Sequence, residues 1–198
     1  MNCIKCVSKD CFNCTIGIEF KEESIKQYDE GFIGNIHRVS ADIEVTYHSK
    51  RTRLEEIIIF TRKMEWSHIG IAFCRGLIAE AEMIHDYLVN AGLKVSSAIC
   101  SLCGVRRKEM DLKDFKPDGS SPVCNPVGQA LALNADKTDL NLIIGLCVGH
   151  DMLFTKYSDA PVSTFIVKDR VLGHNPVQSL YNRYLKKTLT NRIKEDMT

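Results

Sequence analysis

A three-layer α/β fold built on a mostly parallel, Rossmann-like sheet is what this chain of 198 residues predicts. Short apolar runs over 68–74, 94–100 and 140–147 have the length and composition of buried strands. An amphipathic segment over 77–90 joins the first run to the second, and parallel neighbours need such a crossover. The length suits one domain of roughly 100–200 residues. A composition of 44% hydrophobic and 26% charged residues suits a full core.

Residues 1–18 begin with four cysteines and hold almost nothing that builds a core, so they read as a cysteine-rich metal-binding arm ahead of an α/β domain over 19–198. Residues 20–66 read as helical, with Ile36, Val39 and Ile43 marking one face and Leu54, Ile57, Ile58 and Met64 another. A break near Lys50-Arg51-Thr52 separates two helices, with Thr52 as N-cap and Glu55 three residues on.

From His68 to Cys74 runs the first strand, followed by a turn at Gly76. A helix from Leu77 to Asn90 then buries Leu77, Ala81, Ile84 and Leu88 and stops at Gly92. Lys94 to Cys100 is the second strand, and the polar stretch from Arg106 to Ser121 is an excursion. Asn125 to Asn134 is a helix with Pro126 in its first turn. Leu140 to Cys147 is the third and most apolar strand, Pro161 to Val167 a fourth, and Val177 to Lys187 a closing helix.

Several function classes fall away. A formal net charge of +1 offers no global excess of cations for nucleic acid. No apolar run approaches the ~20 residues of a membrane span, and Met1-Asn2-Cys3-Ile4-Lys5-Cys6 does not open like a signal peptide, so a cytoplasmic setting is expected. There is no P-loop, dinucleotide fingerprint, G-x-S-x-G elbow or H-E-x-x-H motif.

The abnormal number is nine cysteines. In a reducing compartment a disulfide framework is not expected, and an odd count cannot pair completely within one chain. Cys3-x2-Cys6-x4-Cys11-x2-Cys14 offers four thiolates on a short loop, enough for one tetrahedral ion or cluster. So short a linker leans toward iron–sulfur, with zinc as the alternative and an arm of plain thiols as the simplest reading.

The other five cysteines are scattered in sequence but regular in topology. Cys74, Cys100 and Cys147 end three strands, Cys103 follows Cys100, and Cys124 precedes a helix. In an open parallel sheet the C-terminal strand ends share one edge, where ligands sit. A strand cysteine is more often a small core residue, but their joint placement points to a second cluster or reactive-thiol site. A thiol–disulfide pair Cys100-x2-Cys103 is disfavoured, because Gly104 signals a turn rather than a helix start.

Polar companions collect at the same edge. His150 can ligate a metal or carry a proton. Asp151 can accept from a ligand or cap the next helix, and Lys168 and Arg170 can anchor an anionic substrate or form a solvated turn.

Four blocks carry a resemblance: 70–77, 124–130, 141–151 and 160–176. They resemble a cysteine-rich domain-of-unknown-function family of anaerobic bacteria and archaea, described as predicted metal-binding proteins. The resemblance covers essentially the whole chain and implies metal binding, a cytoplasmic setting and a habitat friendly to oxygen-sensitive clusters. The N-terminal loop is also similar to cluster loops of carbon-monoxide dehydrogenases and hybrid-cluster proteins, without the Gly-Pro often found after the last cysteine there.

Two functions are therefore expected to compete. One is a small iron–sulfur redox or lyase-type enzyme, holding one or two clusters such as 4Fe-4S, served by a redox partner protein and acting on a small anionic substrate. In it His150 carries protons, Asp151 assists and Arg170 anchors the substrate. The other is a non-enzymatic zinc protein that is structural, senses metal or docks to a partner. Neither requires nucleic acid or a membrane.

Overall fold

A computed structural model describes residues 2–8, 10–14, 17–29 and 31–195. Within the predicted arm, positions 1, 9, 15 and 16 lie outside the described residues, as does position 30 in the predicted helical stretch. Contacts divide the chain into two units, Met1–Met64 and Glu65–Thr198, so the helices over 20–63 group with the cysteine arm.

The first unit holds helices α1 (Glu19–Asp29), α2 (Gly31–Tyr47) and α3 (Arg53–Lys63). Thr52 caps α3 as its spacing predicts: its side chain accepts from the Glu55 N–H at 3.4 Å, and the Glu55 carboxylate accepts from the Thr52 N–H at 2.8 Å. That N–H and the Thr52 hydroxyl, which donates to the same carboxylate at 2.9 Å, hold the Glu55 carboxyl below its ordinary range. Gly34, Ile43, Ile57, Thr61 and Met64 are buried, and a 2.8 Å ion pair from Lys63 to Asp42 ties α3 to α2. Removing the cap in Thr52→Ala is expected to cost about 1 kcal/mol, read as a lower urea midpoint for the helical signal. An unchanged midpoint would show that tertiary packing alone holds α3.

The second unit is the predicted three-layer α/β fold. Strands β1 (His68–Phe73), β2 (Lys94–Ile99), β3 (Leu140–Ile144) and β4 (Val162–Ile166) form one parallel sheet in the order β2-β1-β3-β4. Helix α4 (Ile78–Asn90) links β1 to β2, and α5 (Pro126–Ala135) leads from β2 back past β1 to β3.

Successive strand residues face opposite sides, and β1 shows which helix covers which side. A Cβ on Gly70 would collide with Asn141 Oδ1 and press on Leu133 of α5, whereas Ile71 and Phe73 share a groove with Ile78 and Ala81 of α4. The two helices therefore cover opposite faces. Strands are added to one side from β1 to β2 and to the other from β3 to β4, which makes the β1–β3 boundary the topological switch point.

Helix α6 (His150–Tyr157) follows β3, and α7 (Gln178–Tyr181) and α8 (Arg183–Glu195) close the chain. The single closing helix expected over 177–187 is broken at Asn182, whose side-chain oxygen accepts the N–H groups of Tyr184 and Leu185 and so starts a new helix. The third strand also ends early, because Gly145 turns at φ 63°. Cys147 therefore sits beyond the strand, in the turn that leads into α6.

The polar stretch between β2 and α5 is an excursion with a closed neck. Asn125 N–H donates to Cys100 O at 2.7 Å, Val123 to Val105 at 2.9 Å and Arg107 to Ser121 at 3.0 Å. Its interior is ordered by Asp114, which accepts from Lys116 and Ser121, and by Arg107 stacked over Phe115.

Candidate functional site

All four strands deliver a reactive group to the C-terminal edge of the sheet. Cys74 follows β1, and its N–H continues the ladder to Ile144 O at 3.1 Å. Cys100 follows β2 with its N–H on Phe73 O at 2.9 Å, Cys147 lies in the turn after β3, and Lys168 comes two residues after β4. Cys124 joins from the residue before Asn125, whose side chain caps α5 by accepting the Gly128 N–H at 2.9 Å.

These sulfurs interact. The Cys100 sulfur accepts the Arg75 N–H at 3.4 Å, and Cys100 bears on the acidity of both Cys74 and Cys124. Cys147 and Cys74 both act electrostatically on Cys124. Lys168 Nζ donates to Cys74 Sγ, and an Arg170 guanidinium nitrogen reaches Cys147 Sγ at 3.6 Å. Cys74 and Cys100 are buried, while Cys124 and Cys147 are half-buried.

The thiols do not share one acidity. Burial opposes ionisation of Cys74, but the Lys168 hydrogen bond, the Gly76 N–H and the Lys168 charge outweigh it and hold the thiol below its ordinary value. Cys124 is pushed up to about 11 by burial and then by Cys100, Cys147 and Cys74. Like charges crowd this edge, so the thiols cannot all ionise unless cations join them.

A pH series of alkylation on metal-free protein is expected to modify Cys74 at lower pH than Cys124. Reaction of Cys124 at ordinary thiol pH would contradict the crowding. The sign for stability follows. The unfolded Cys124 loses its proton near 9.0 and the folded one near 11, so its contribution is complete below 9.0 and declines as pH rises through that window.

Other predicted residues fall less centrally. Cys103 lies in the turn Leu102–Gly104 with φ 67°, exposed, and it takes no part in the sulfur contacts at the edge. His150 is half-buried; burial lowers its pKa, the Lys168 charge lowers it further and Asp151 opposes both, so the imidazole is neutral at pH 7. The Asp151 carboxylate is engaged by the N–H groups of Gly149 and Met152 at 2.9 and 2.8 Å, as a turn-capping residue.

In the arm, Cys3 and Cys11 are exposed and Cys6 and Cys14 half-buried. Asp10 accepts the N–H groups of Phe12 and Asn13 at 3.2 and 3.3 Å, which shapes the turn carrying Cys11 and Cys14. Among the described residues no three or more His, Cys, Asp or Glu side chains are grouped, as they stand, to hold a metal ion.

Gln129 is the contributor that sequence reasoning passed over. It is fully buried in α5, and its Nε2 donates to Phe73 O at 3.2 Å and Ala98 O at 2.7 Å, lacing together the strand ends that carry Cys74 and Cys100. Its Oε1 is buried without a hydrogen-bond partner. A lone amide on the buried face of an otherwise apolar helix was the available signal.

Fold and edge together define a doubly wound α/β protein whose C-terminal sheet edge carries several thiols. Residues 13–165 match the family described as "Protein of unknown function (DUF1847)", and the chain belongs to that family. An uncharacterised protein of Methanocaldococcus jannaschii is 45% identical over 196 residues, covering 97% of this chain and 100% of that one. No solved structure matches. No helix among the described residues is long and apolar enough to cross a membrane.

Proposed function

We propose that the sheet edge holds a metal centre on Cys74, Cys100, Cys124 and Cys147, an iron–sulfur cluster, and that Cys3, Cys6, Cys11 and Cys14 hold a second. One observation supports the reading: Cys74, Cys100, Cys124 and Cys147 come from four separate segments to one sheet edge, where Lys168 and Arg170 reach two of their sulfurs. The donor set fits. Thiolates are the ligands such clusters take, and Lys168 and Arg170 offset their charge. Binding a common centre requires rotation about the cysteine χ1 angles, which the half-buried Cys124 and Cys147 allow.

Such a centre supplies electron transfer or Lewis-acid polarisation of a small anionic substrate. This chain's own part is to exclude water with Leu77 and Leu146, both nearly fully buried at the strand ends, and to offer a proton carrier in neutral His150. A cytoplasmic setting and a redox partner protein accompany this reading.

Anaerobic purification followed by iron and acid-labile sulfide analysis tests it. Iron and sulfide in proportion, with a visible charge-transfer band, support the cluster. A colourless protein with stoichiometric zinc and no sulfide overturns it in favour of a structural or metal-sensing zinc protein.

A further inference from the structure

Lys168 and Arg170 flank Asp169, yet the three charges do not neutralise one another. The Asp169 carboxylate accepts the N–H groups of Val171 and Leu172 at 3.0 and 2.9 Å, and its own N–H donates to His174 Nδ1 at 3.1 Å. His174 adopts φ 66° and returns its N–H to Asp169 O at 2.8 Å. The turn is thereby locked through the acid, and the cations on either side are left to sulfur: Lys168 to Cys74 and Arg170 to Cys147. Among the described residues neither cation forms an ion pair with a carboxylate. The two sulfurs they reach stand on opposite sides of the switch crevice, one after β1 and one beyond β3.

We propose that Lys168 and Arg170 form a charge clamp that selects, at the four-thiol site, a centre carrying two net negative charges with its thiolates included. The inference rests on the thiolate-centre reading above and adds the charge the site accepts. Four thiolates around a divalent ion or a doubly positive core leave two negative charges, and two cations neutralise them. A monovalent ion would leave three and a trivalent ion one, each an uncompensated charge in a half-buried site. Before binding, the cations hold the two sulfurs; after binding, they neutralise the whole assembly.

The test uses the full-length chain with Cys3, Cys6, Cys11 and Cys14 changed to serine, so that only the sheet-edge thiols report. It is reduced, stripped of metal and titrated with cobalt(II), whose sulfur-to-metal absorption counts bound thiolates. Lys168→Met and Arg170→Met are each expected to weaken cobalt binding roughly ten-fold, since partial exposure screens the full Coulomb interaction. Lys168→Arg is expected to keep near-normal affinity, and Lys156→Met, which removes an exposed cation near the far end of α6, to change nothing.

Unchanged affinity in both methionine variants overturns the clamp and leaves the metal centre standing. An equal loss in Lys156→Met also overturns it, because net charge alone would then explain the effect. If the parent chain gives no thiolate–cobalt band, the centre itself fails and the clamp with it.

Discussion

Exchanging Cys100 for serine is expected to abolish metal binding at the sheet edge while the domain stays folded. Cys100 is buried, its sulfur accepts the Arg75 N–H at 3.4 Å, and it bears on both Cys74 and Cys124, so its loss removes the thiol that acts on both. A serine hydroxyl still accepts that N–H, which protects the fold. It is a poor, hard ligand for a soft centre. Iron and sulfide per chain should fall by the whole content of one centre, at least ten-fold when measured in the chain lacking the arm cysteines. Full retention would show that Cys100 is a buried packing residue, the ordinary role of a strand cysteine.

Gly70→Ala is expected to be the most damaging small substitution in the core. Gly70 pairs with Asn141 across β1 and β3, and the missing Cβ is what lets the Asn141 amide lie over the strand. That amide is fully buried and bonded at both ends: Oδ1 accepts from Thr138 Oγ1 at 2.8 Å, and Nδ2 donates to Ser158 Oγ at 2.8 Å, which in turn donates to Ala160 O. A methyl group at Gly70 displaces the amide and leaves buried polar atoms unpaired. A loss of about 3 kcal/mol follows, combining overpacking with broken hydrogen bonds, measured by urea denaturation of the whole chain. The pair Gly70→Ala with Asn141→Ala should recover part of that loss, because the smaller side chain removes the collision. No recovery would place the damage against Leu133 instead.

Much of this was legible in the sequence because it depends on periodicity and chain order. The runs at 68–74 and 140–147 read as strands because they are apolar and short, and 94–100 because it follows a crossover helix, although the third strand stops at Ile144. Cys74, Cys100 and Cys147 share an edge because parallel strands all finish on the same side. Thr52 and Glu55 revealed a helix start through spacing alone. What stayed hidden depends on side-chain direction. Lys168 and Arg170 were visible as a cationic pair, but that both turn to sulfur follows from the turn Asp169 makes with Val171, Leu172 and His174. Cys103 looked like a partner of Cys100 by spacing, and its left-handed backbone leaves it on the surface. Asn141 and Gln129 are polar residues inside apolar elements, and only the fold shows which carbonyls and hydroxyls satisfy them.

The closed neck of the excursion at 105–123 makes it a natural graft point. Its ends meet through backbone bonds beside Cys100 and Cys124, so those cysteines are held by the neck and not by whatever is strung between. Loop-closure entropy rises only slowly with length, and a segment inserted near exposed Phe115 would project outward without drawing the cysteines apart. A fluorescent peptide or affinity handle placed there would leave the thiol-lined edge with its geometry.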